Sequence, residues 1–84
     1  MLKSRKDVET EIRIRTESVI EVLKDLEVDV QIINVFKARN EKKVNSLKGL
    51  ALETFSDCLF YLFKELLKCK KGELKIKELL TFSL

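Results

Sequence analysis

No proline occurs anywhere in the sequence, and glycine occurs only at Gly49 and Gly72. These two residue types break regular backbone structure most strongly, and their scarcity leaves long stretches with nothing to stop a helix. The apolar spacing agrees. Ile12, Val19, Leu23, Leu26, Val30 and Ile33 recur at intervals of three, four or seven, with Thr16 as the polar interruption. This is the seam of a coiled coil or bundle helix. Ser4 is placed to cap it, and Glu9 with Arg13 and Glu11 with Arg15 form i, i+4 pairs in the favourable order. A helix is expected from about residue 5 to the mid-twenties. The stretch 28–36 carries strand-prone Val28, Val30, Ile32, Ile33 and Val35, yet Asp29 can cap a fresh helix, so a kink or break is expected near 27–30.

Asn40, Asn45 and Ser46 make the polar stretch 38–46 the expected chain reversal. From Leu47 the helical pattern is the strongest in the protein: Leu47, Leu50, Ala51, Phe55, Cys58, Leu59, Leu62, Phe63 and Leu66 mark one face, ending at Lys70, Lys71 and Gly72. Leu74, Ile76, Leu80, Phe82 and Leu84 alternate with polar residues as a strand would, whereas the Leu79–Leu80 pair suits a short helix, which is the preferred reading. The expected fold is all-α and a single domain over 1–84: a hairpin of two long antiparallel helices plus a short C-terminal element, completed as a bundle by oligomerisation. A chain of 84 residues buries only about 60–65% of its unfolded surface, so added burial against a partner would help.

Catalysis is tested by subtraction. There is no histidine, which removes the commonest general base and the Ser–His and Cys–His nucleophile pairs. Two cysteines without histidine cannot complete a four-ligand zinc site in one chain. Two scattered glycines build no phosphate-cradling loop. Glu17, Glu21 and Asp25 stack at i, i+4 but read as an exposed acidic face, and Cys69 among Lys68, Lys70 and Lys71 lacks a nearby base or resolving thiol. No enzyme activity, cofactor or metal is expected. Cys58 and Cys69, eleven residues apart on one helix, stand about 16 Å from each other, beyond disulfide reach. The longest apolar run, Cys58 to Phe63, is far short of a membrane span. A reducing, cytoplasmic or nuclear location is the expectation.

Charge is uneven. Residues 7–29 hold eight acids against three bases, a balance of −5. Lys37, Arg39, Lys42, Lys43 and Lys48 against Glu41, and Lys68, Lys70, Lys71, Lys75 and Lys77 against Glu73, each give +4. Such clusters suit anions, including the phosphates of nucleic acid, although they hold almost no arginine and no aromatic for base reading or stacking. The run Cys58-Leu59-Phe60-Tyr61-Leu62-Phe63 is more informative, because six consecutive apolar residues cover more than one face of a helix. Phe60 falls on the otherwise polar side, with Phe63 and Leu67 beside it. The expected role is therefore assembly or adaptor work through a second apolar face, with Phe60, Phe63, Leu67 and Leu52 as contacts. The partner would be a second copy or another subunit, with sequence-blind nucleic-acid binding as the alternative.

Overall fold

The computed structural model describes residues 3–69. Three helices account for most of them: α1 (Arg5–Asp25), α2 (Val30–Ser46) and α3 (Leu50–Cys69). The all-α expectation holds. The expected break near 27–30 is complete, so what reads as one long arm is two helices. The C-terminal element expected over 73–84, and the stop at Lys70, Lys71 and Gly72, lie outside the described residues.

Each helix end has a local cause. The Ser4 hydroxyl accepts from the Asp7 amide at 3.2 Å, capping α1. At the other end the Val28 amide donates to the Leu23 carbonyl and the Glu27 amide to that of Lys24, both at 3.0 Å, with Glu27 left-handed at φ 59°. That is the Schellman pattern, and Val28 packs against the core cluster to which Leu23 belongs. One residue later the Asp29 carboxylate accepts from the Gln31 amide at 2.7 Å and starts α2, so tertiary packing and a cap override the strand propensity of 28–36.

The reversal expected over 38–46 does not occur there. α2 continues to Ser46, whose hydroxyl donates back to the Lys43 carbonyl, and the chain turns over 47–49. Gly49 supplies the turn with φ 56°, and its carbonyl accepts from the Leu52 and Glu53 amides as α3 begins. Arg5 holds this corner from across the molecule, donating at 2.8 Å to the carbonyls of both Val44 and Leu47 while its Nε meets Glu9 at 2.7 Å. Glu9 is thus engaged by Arg5 rather than by Arg13, whereas the expected Glu11–Arg15 pair forms at 3.1 Å.

Two pairings set the directions. Val8 lies with Leu52, and Arg15 reaches Ser56, so α1 and α3 run the same way; Thr16 meets Asn40 and Arg5 reaches Val44, so α2 runs opposite to α1. The closest packing is between α1 and α3. Val19, Leu23, Leu59 and Leu66 have no exposed surface, with Phe36 and Ile33 closing the core from α2. Of the heptad seam, Ile12, Val19, Leu23 and Ile33 are buried and Leu26 is half-buried, but Val30 is 69% exposed because it opens α2 just past the break.

Candidate functional site

α3 decides which apolar residues face inward. Its buried row is Leu52, Phe55, Leu59, Leu62 and Leu66, stepping by three and four. Leu52, expected on the partner-facing side, is therefore a core residue at 1% exposure, while Leu50, expected in the core row, is 72% exposed. The cause is the left-handed turn at Gly49, which starts α3 at Leu50 and leaves that residue in the first turn, outside the body of the bundle. Phe63 is half-buried and packs against the core, and Phe60 and Leu67 are 43% and 40% exposed. On α1, Ile14 is exposed as well.

Phe60 is not bare apolar surface. The Arg15 guanidinium lies 5.1 Å from its ring centroid and the Lys64 ammonium 4.6 Å. Cations attracted to the ring faces hold an exposed aromatic in place without covering its edge. Arg15 is itself fixed: its guanidinium donates to the Ser56 hydroxyl at 2.8 Å and pairs with Asp57 at 3.3 Å and with Glu11. Glu11 also takes the Lys3 ammonium. That hydrogen bond from Lys3, joined by the positive charges of Lys3 and Arg15, holds the Glu11 carboxyl below the ordinary glutamate range, and the same bond raises Lys3. The edge of the α1–α3 seam is a chain of alternating charge with Phe60 seated on it. Arg15 and Asp57 are visible in the sequence, but only the parallel packing of α1 on α3 brings them together.

The basic residues do not form one patch. Helix continuation through 38–46 fans the first cluster around α2. Arg39, Lys42 and Lys43 share a shallow face with Ser46, and Lys37 points to the groove between α1 and α2 instead. Lys68 is exposed and pairs with Glu65 at 3.2 Å. Lys70 and Lys71 lie outside the described residues. Both Cys58 and Cys69 are half-buried free thiols. Among the described residues no group of three acidic, cysteine or histidine side chains could hold a metal ion, and no helix is long and apolar enough to cross a membrane.

A second feature escaped the sequence reading. Between α1 and α2 runs an open groove of about 520 Å³ floored by Ile12, Ile20 and Val44. In it, Asn40 is 3% exposed, its Nδ2 donating to the Thr16 hydroxyl at 3.3 Å and its Oδ1 without a hydrogen-bond partner. The signal was present: Thr16 is the polar interruption of the seam, and Asn40 is its counterpart on α2. No protein-family model matches this chain, and neither a curated protein nor a solved structure matches it.

Proposed function

We propose that this protein is a non-enzymatic assembly subunit that associates through the outer side of α3, with Phe60 and Leu67 as anchors, Phe63 behind them and a second copy of the chain as partner. The observation that carries this reading is Phe60: a large aromatic, 43% exposed, held by Arg15 and Lys64 rather than folded into the core. Aromatic side chains fixed in place lose little conformational freedom on binding, and aromatics and arginine are the residue types most often found as interface anchors. The flanking cations favour a counterpart with carboxylates near its apolar contact, which this chain itself offers in Asp57 and Glu53 on the same helix.

Light scattering at micromolar concentration tests the reading. The unaltered chain should scatter as a dimer and Phe60→Glu as a monomer with unchanged helical circular dichroism, because the new carboxylate would sit between Arg15 and Lys64. A monomeric unaltered chain with no affinity for apolar dyes would overturn it.

A second reading rests on Arg39, Lys42 and Lys43 sharing one face of α2. Nucleic-acid binding there would be sequence-blind and steeply salt-dependent, and a filter-binding titration that finds no affinity at low ionic strength removes it.

A further inference from the structure

We infer that the groove between α1 and α2 is a second self-association face, where two copies of the chain meet about a dyad parallel to the helices, with α1 of each copy on α2 of the other. Hydrogen bonding carries the first part of the case. Asn40 Oδ1 is buried without a donor. The Thr16 hydroxyl accepts from Nδ2 and, unlike the hydroxyls of Thr10, Ser18 and Thr54, is not bonded to the carbonyl four residues earlier, so its own proton is uncommitted. Each copy thus lacks one donor and offers one. About this dyad Thr16 stands level with the other copy's Asn40, and the four side chains close a ring that uses both Oδ1 atoms and both hydroxyl protons. The terminal torsion of asparagine is soft enough to turn toward that bond, and turning the amide over only reverses the direction of the ring. Buried polar atoms in folded proteins nearly always have partners.

Charge carries the second part. Arg13 and Glu17 on α1, and Lys37 and Glu41 on α2, are exposed along the groove, and none of the four forms an ion pair among the described residues. The Thr16–Asn40 bond sets the heights of these antiparallel helices, so Glu17 and Lys37 lie within about 3 Å of one level, as do Arg13 and Glu41. The same dyad therefore sets each charge against its opposite on the other copy. A partner carrying one sign of charge would leave two of the four facing like charge, and a second copy leaves none. Little apolar surface remains to be gained, because Ile12 and Ile20 on the groove floor are already down to 3% and 8% exposure, so this contact belongs to high concentration. Arg13 and Arg15 project about 160° apart on α1, which keeps the groove separate from the outer side of α3, and the inference does not depend on the function proposed above.

Interchain-filtered methyl nuclear Overhauser spectra of the unaltered chain, half labelled and half unlabelled at about 1 mM, provide the test. Contacts are expected from the Ile12 methyls to Val44 of the other copy and from the Thr16 methyl to the other copy's Asn40 amide. They should be lost in Arg13→Glu alone and in Glu41→Arg alone, which set like charges together. They should return when those two variants are mixed, because the mixed pair restores both matches. No interchain contact at the groove of the unaltered chain, groove contacts only to Phe60 and Leu67 of the other copy, or variants that behave the same alone and mixed would overturn the inference. The unaltered chain decides the matter even if a variant unfolds. Light scattering of Phe60→Glu at micromolar concentration reads the α3 face, so failure of either inference leaves the other standing.

Discussion

The seam between α1 and α3 and the seam between α1 and α2 differ in kind. The first is a continuous apolar row, Val8, Val19 and Leu23 against Leu52, Leu59 and Leu66, edged by Arg15 bonded to Ser56 and Asp57. The second is closed at one end by Ile33 and Phe36 reaching inward and clasped at the other by Arg5 on the Val44 and Leu47 carbonyls, and between them it holds one polar pair, Thr16 with Asn40, above an open groove. Apolar burial without a gap gives stability. A groove with an unpaired amide leaves room for something else. One helix, α1, carries both behaviours on neighbouring faces.

The largest effect should come from breaking the tight seam. Leu59→Ala empties a fully buried site and should cost about 2–5 kcal/mol in chemical denaturation, a large part of the stability of a domain this size. If Leu59→Ala costs under about 1 kcal/mol, the two seams are not distinct.

Next is the clasp at the far end. Arg5→Ala leaves the Val44 and Leu47 carbonyls to water and should lower stability by about 1–2 kcal/mol, a reduction from the value for buried charged bonds because the site is exposed. Amide exchange should accelerate first in the last turn of α2, while protection of α3 near Leu59 persists.

A smaller change of opposite sign is expected at the α1–α2 turn. Glu27 holds a left-handed conformation that glycine adopts without strain, so Glu27→Gly should raise stability by about 0.5–1 kcal/mol, or about 2–8 °C in melting temperature. The smallest effect is electrostatic. Glu11 has a lowered pKa in the folded chain, so the contribution of its pair with Lys3 is present above the ordinary value of 4.5 and fades as pH falls through the lowered one. Lys3 is raised, so its share is present below 10.5 and fades as pH climbs through the raised value. In Lys3→Met the alkaline loss should vanish and the acid loss should shrink to the part that Arg15 supplies, measured by denaturant midpoints across pH.

Much of this fold could be read from spacing and caps. Ser4, Asp29 and the break between them act through bonds no more than five residues long, and local chemistry announces itself locally. The turn at 47–49 was misplaced because Asn40, Asn45 and Ser46 have the composition of a turn, whereas the deciding feature is the left-handed backbone at Gly49. The inward face of α3 was rotated for the same reason. Leu50 and Leu52 are indistinguishable by type, and the helix start decides which of them is buried. At the candidate site Phe60, Phe63 and Leu67 were legible as apolar excess on one helix. Arg15 over Phe60, Arg5 at the α2 corner and Asn40 beneath Thr16 join residues 24 to 45 positions apart, and no periodicity carries that information.

The parallel placement of α1 and α3 bears on how the chain is made. The main partner of α1 is the helix synthesised last among the three, so the row Val8, Ile12, Val19 and Leu23 leaves the ribosome with only part of its cover to follow soon. Forty-four residues separate the end of α1 from the end of α3, which at typical elongation rates is about 2–9 s of waiting. During that interval α2 can shield one flank through Ile33 and Phe36 but not the other, and the nascent chain offers an apolar helix face of the kind that chaperones hold.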